Sequence, residues 1–119
     1  MANKLLSGRH ILVVEDEVMI QMFIEGILDG QGASFASAPS VDRALALIDT
    51  QAFDAALLDV SLHGNKSYPV AEALKTRGIP FSFSTGDIDL ADGYEDRPLL
   101  KKPFRPQALV EAFAGLFSA

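Results

Sequence analysis

Two short runs, ILVV at 11–14 and AALL at 55–58, are apolar throughout and show no alternation with polar residues. A strand of that kind has no face to give to water, so it belongs in a parallel sheet covered by helices on both sides. Each run ends abruptly in acid, the first in Glu15-Asp16-Glu17 and the second in Asp59. Carboxylates at the end of a buried strand stand where open α/β sheets bind their ligands.

The rest of the chain supplies the covering helices. VMIQMFIEGILDG (18–30) places Ile20, Phe23, Ile24, Ile27 and Leu28 at helical spacing, with Gln21, Glu25 and Asp29 opposite and Gly30 and Gly32 at its end. SFASA (34–38) reads as a short strand. Pro39-Ser40 then opens a second helix, with Ser40 as N-cap and Ala44, Leu45 and Ile48 inward. A loop follows Asp59, and Pro69 suits the first turn of a third helix, YPVAEALKTRG, closed by Gly78. IPFSFS (79–84) and PLLKK (98–102) are the fourth and fifth strands. RPQALVEAFAGLF is the last helix, with Leu109, Val110, Phe113, Leu116 and Phe117 on one face. Between those strands GDIDLADGYED (86–96) is short, acidic and barely periodic, the weakest segment of the pattern. Five βα repeats with right-handed crossovers predict a flavodoxin-like (βα)5 three-layer sandwich, an α/β fold with a parallel five-stranded sheet in the order 2-1-3-4-5. Residues 1–119 read as one domain, with nothing left over for an output or helix-turn-helix domain.

A net charge of −6 and a pI near 4.7 argue against nucleic acid or an anionic membrane as partner. Without cysteine there is no disulfide, thiolate nucleophile or zinc-thiolate site. No apolar run approaches the roughly 20 residues of a membrane span, and MANKLLSGRH is too short in apolar residues for a secretory signal. The expectation is a cytoplasmic protein, in which the sequon Asn65-Lys66-Ser67 has no use.

Strand one ends in Glu15-Asp16, strand three in Asp59, strand four in Thr85 and strand five in Lys102. In the 2-1-3-4-5 order, strands one and three are neighbours at the switch point, so three carboxylates converge. Alone they would raise one another's pKa; a hard divalent cation such as Mg²⁺ relieves that.

Glu15-Asp16 in VVEDE, Asp59 in LLDVS, Thr85 in STG and Lys102 in KKPF together resemble a response-regulator receiver domain of the CheY-like type, over essentially the whole chain. The resemblance implies that Asp59 accepts a phosphoryl group from a sensor histidine kinase or phosphotransfer protein. It implies Asp16 as a direct Mg²⁺ ligand, Glu15 acting mainly through water, and Asp59 and the Ser61 carbonyl completing the protein ligands. Lys102 would meet one phosphoryl oxygen and Thr85 another, with Pro103 aiming the lysine and Gly86 leaving room. Segment 86–96 would respond, and the signal would leave by docking to a downstream protein.

The pattern also departs from the family. Leu99 stands where receivers usually carry an aromatic residue, with Tyr94 the only aromatic in the adjacent loop, and Ser61-Leu62 replaces the usual Met-Pro. PFSFSTGD resembles the FATGUY-type subgroup of single-domain regulators at Pro80, Phe81, Phe83, Thr85 and Gly86, but not at Ser84 and Asp87. That subgroup also lacks the aromatic and has an irregular fourth helix, which the resemblance implies for 86–96; it commonly pairs with HWE-type kinases and acts in stress signalling. His63, with no second His or Cys nearby, reads as a loop residue. GDIDLADG lacks the spacing and terminal glutamate of a calcium loop. Asp87 reads as a solvated loop acid. Two other functions remain open: a receiver-like module that binds partners without phosphorylation, and a Mg²⁺-dependent phosphohydrolase of the haloacid dehalogenase type. The latter needs a second aspartate where this chain has Ser61. A flavodoxin is excluded, since Glu15-Asp16-Glu17 would repel a flavin phosphate.

Overall fold

The computed structural model describes residues 5–62, 64–86 and 98–118. In chain order these form β1 (His10–Val14), α1 (Val18–Gly30), β2 (Ser34–Ala38), α2 (Val41–Thr50) and β3 (Ala55–Asp59). A small hairpin, β4 (Ser61–Leu62) and β5 (Asn65–Lys66), comes next, followed by α3 (Tyr68–Thr76), β6 (Phe81–Thr85), β7 (Leu99–Lys101) and α4 (Pro106–Phe117). Five strands form one parallel sheet in the order β2-β1-β3-β6-β7. Counted over the sheet strands alone, that is the expected 2-1-3-4-5. The expected irregular fourth helix, with Asp87 and Tyr94, falls outside the described residues, as does His63.

The absence of alternation in β1 and β3 has the expected consequence. Every residue of β3 is buried, and the pleat divides each strand between two cores. Ile11, Val13, Ala55 and Leu57 pack with Ile24 and Leu28 of α1 and Leu109 and Phe113 of α4. Leu12, Val14, Ala56 and Leu58 pack with Ala44 and Ile48 of α2 and Val70 and Leu74 of α3. At the amino edge of the sheet, His10 stacks on Phe53 and meets Ser34 and Gln51, each at 2.7 Å. It is a brace between segments, far from the strand ends that carry the acids.

Two helix boundaries follow from single residues. Ser40 Oγ accepts from the Arg43 amide at 3.3 Å, and Pro69 occupies the first turn of α3. Ser40→Ala is expected to cost about 1 kcal/mol in urea denaturation. An unchanged midpoint would mean that the cap contributes nothing.

Two features depart from the sequence reading. Phe23 does not turn into the core: it is 44% exposed and its ring lies 5.9 Å from that of Phe104. Ile24 and Leu28 already fill the space beneath α1, and position 23 lies toward the flank where the chain leaves β7. The loop after Asp59 contains the β4–β5 hairpin, whose turn has Gly64 at φ +81°.

Candidate functional site

The pleat that sorts the core also assembles the site. Continuing the alternation past Ile11 and Val13 puts Glu15 on the α1/α4 side of β1. Continuing it past Ala55 and Leu57 puts Asp59 on the same side of β3, and Leu100 in β7 does the same for Lys102. Glu15 is 1% exposed and Asp59 7%. Lys102 Nζ donates to Asp59 Oδ2 at 3.0 Å and stands 2.9 Å from Glu15 Oε1. The second contact is an ion pair off the hydrogen-bond direction, since Glu15 Oε1 accepts no hydrogen bond among the described residues. The Ser61 amide donates to Asp59 Oδ1 at 3.3 Å, and the Glu17 amide to Glu15 Oε2 at 3.2 Å. The Lys102 amide donates to the Thr85 carbonyl at 2.9 Å, tying the ends of β6 and β7 together. The Lys102–Pro103 peptide is cis. An open cleft of about 480 Å³ lies over this row, lined by Asp16, Asp59, Ser61, Thr85, Gly86 and Lys102 among others.

Burial pushes the Glu15 carboxyl up to about 7; the Asp59 charge adds to this, while Lys102 and the Glu17 amide pull it back. Burial alone would lower the Lys102 ammonium, but its close contacts with the Glu15 and Asp59 carboxylates and their charges prevail and hold it above its ordinary value. The folded chain therefore keeps the Glu15 proton up to about 7, while the unfolded chain releases it near 4.5. In that window the native state binds more protons, so this group makes stability fall as pH rises. Without divalent cation, the fall between about pH 5 and 7.5 is expected to be about 1–3 kcal/mol larger in wild type than in Glu15→Gln. Urea denaturation across that range measures it, and equal slopes would refute burial of Glu15 as the cause.

One oxygen each from Glu15, Asp16 and Asp59 can lie within 4.8 Å of one another. Opposite oxygens of an octahedral Mg²⁺ stand about 4.2 Å apart, so shifts of roughly half an ångström would close this set. The donors are hard oxygens, and the buried Glu15 Oε1 lacks a hydrogen bond that a cation would replace. The residues present fit the ion.

A family model described as "Response regulator receiver domain" matches residues 11–114. The chain belongs to that family, the receiver domains of two-component systems. This receiver is 40% identical to SdrG from Sphingomonas melonis Fr1, whose solution structure matches with a TM-score of 0.83 over 98% of this chain and 99% of that one. It is 30% identical over 111 residues to an uncharacterized transcriptional regulatory protein, YbdJ, of Bacillus subtilis strain 168, covering 88% of this chain. This receiver spans 49% of that relative, about half its length. The receiver domain of the sensor histidine kinase PA1611 from Pseudomonas aeruginosa PAO1, solved with magnesium coordinated in its active-site cleft, has a TM-score of 0.79 at 22% identity, over 95% of this chain and 100% of that one. Receiver domains are signalling proteins rather than classical enzymes, and as a family they bind Mg²⁺ at an acidic site and interact with histidine kinases or phosphotransfer proteins. Among the described residues, no helix is long and apolar enough to cross a membrane.

The structure brings Glu15, Asp16, Asp59, Ser61, Thr85 and Lys102 to one cleft. Sequence reading gave Lys102 a phosphoryl partner only; here it is also the internal counter-charge to two buried acids. Ser84 escaped notice as a site residue. It is buried, its hydroxyl has no hydrogen-bond partner among the described residues, and it pairs with Asp59 across the sheet. The signal was there in the alternation of β6, where Ser82 and Ser84 take the face opposite Phe81 and Phe83.

Proposed function

We propose that this receiver is the phosphoacceptor of a phosphorelay, taking a phosphoryl group onto Asp59 from a sensor histidine kinase or phosphotransfer protein. The observation that carries the reading is the Asp59 carboxylate, fixed at the end of a fully buried strand between Lys102 at 3.0 Å and the Glu15–Asp16 pair, and open to the cleft. In the transfer an Asp59 carboxylate oxygen attacks phosphorus, a new O–P bond forms, and the donor's P–N bond breaks with its electron pair returning to the histidine nitrogen. Asp16 and Asp59 would hold Mg²⁺ directly, with Glu15 through water and the Ser61 carbonyl as the ligand the family resemblance adds. When bound, the ion neutralises charge developing on the transferring oxygens. Lys102 would place a second positive charge against them, and the Thr85 hydroxyl would donate to another.

The gain in charge and acceptor oxygens at Asp59 would draw on Thr85 and the segment after it, and output passes to a downstream protein by docking. Leu99, 38% exposed on β7, cannot serve as an aromatic switch. The match at Pro80, Phe81, Phe83, Thr85 and Gly86 supports placing this receiver with the FATGUY-type regulators, hence with HWE-type kinases and stress signalling.

Incubation with Mg²⁺ and a small acyl phosphate tests the reading by intact mass. A gain of one phosphoryl group is expected. Turnover of many unrelated phosphomonoesters would point to a hydrolase, and no reaction to a module that binds partners unmodified.

A further inference from the structure

The strand order sets Lys102 a long reach. β6 lies between β7 and β3, so the backbones that carry Lys102 and Asp59 stand about two strand spacings, roughly 9–10 Å, apart, and the lysine stem together with the shorter Asp59 side chain closes that gap. Its Glu15 contact lies one strand further on. The stem must therefore cross β6 on the α1/α4 side. Phe81 and Phe83 point to the opposite core, so Ser82 and Ser84 are the β6 side chains on the side that is crossed. Ser84 is in register with Asp59 on one side and Leu100 on the other, and Lys102 is the next residue beyond Leu100 on that face. Ser82 is satisfied by backbone carbonyls at 3.1 and 3.3 Å. Ser84 is 1% exposed and its hydroxyl has no partner among the described residues.

A buried hydroxyl without a partner is costly, so its partner is to be sought in another state of the molecule. Glu15 Oε1, on the far side of Asp59, is the matching case. A divalent cation at Glu15, Asp16 and Asp59 competes with the ammonium for Glu15. Retreat of the ammonium toward β7 carries it over Ser84.

We infer that the Ser84 hydroxyl is a second seat for the Lys102 ammonium, occupied when a divalent cation claims Glu15. Ser84 is then a positioning residue: it touches neither cation nor phosphoryl group and acts through Lys102. The cation-bound state then provides for both oxygens, the cation at Glu15 and the ammonium at Ser84. This rests on the reading of the acidic row as a cation site.

The test is a Mg²⁺ titration of the full chain followed by NMR, observing the Lys102 side-chain carbons and backbone amides. Ser84→Ala is expected to weaken Mg²⁺ about 3- to 10-fold while leaving cation-free stability equal or higher, and to reduce the Mg²⁺-induced shift at the Lys102 carbons. Ser84→Thr and Ser84→Val have nearly the same volume and differ in the hydroxyl, so Thr is expected to bind Mg²⁺ several-fold more tightly than Val. In a Lys102→Met background, Ser84→Ala is expected to change nothing, because the two act as a pair. Equal Mg²⁺ affinity for wild type and Ser84→Ala, equality of Thr and Val, or an effect that persists without Lys102 would each overturn the inference while leaving the cation site intact. If wild type itself bound no Mg²⁺, the cation reading and the second seat would fall together.

Discussion

Asp59→Asn is expected to take up no phosphoryl group under conditions that modify the wild type fully. The amide nearly matches the carboxylate in volume and keeps an oxygen for Lys102, so the buried strand and its packing survive. What disappears is the anionic nucleophile, together with one of the three charges of the acidic row. Mg²⁺ affinity falls for the second reason. Loss of the Asp59 charge, one of the causes raising Glu15, also lowers the pH at which Glu15 titrates. Intact mass after acyl phosphate treatment checks the first result, and a cation titration the second. Phosphorylation of the Asp59→Asn variant would move the acceptor to another residue.

Lys102→Met carries the next largest effect, this time on stability. The ammonium is the counter-charge for two buried acids, and its side chain is 16% exposed. Removing one member of a buried ion pair leaves the other uncompensated, which costs about 3–5 kcal/mol in fully buried cases. Here Glu15 can relieve part of that by taking a proton, so the expected loss is about 2–4 kcal/mol at pH 8. It shrinks below about pH 6, where Glu15 is neutral in the variant as in the wild type. Saturating Mg²⁺ restores most of the loss, because a cation bound only to the folded chain supplies the missing positive charge. Urea denaturation at both pH values, with and without Mg²⁺, reads all three effects. A variant as stable as wild type at pH 8 would show that the two acids do not depend on Lys102.

The architecture was legible because the two decisive signals are local. ILVV and AALL lack alternation, which forces a covered parallel sheet, and the turn residues around Pro69, Gly78 and Ser40 mark where each helix starts or stops. The acidic row was legible for a related reason: strand order and the period of two are enough to bring Glu15, Asp59 and Lys102 to one face. Phe23 was misread because helical spacing defines a stripe, not its edge, and Ile24 and Leu28 suffice to cover the sheet there. The lysine's crossing of β6 and the resulting place of Ser84 depend on which strand lies between two others, a tertiary fact that no local pattern carries.

Reduction with borohydride turns an aspartyl phosphate into homoserine, so tandem mass spectrometry after acyl phosphate treatment can name the modified residue. The account predicts homoserine at position 59, formed when Mg²⁺ is present and absent when it is chelated. Homoserine at another aspartate, or equal modification of Asp59 without the cation, would contradict it.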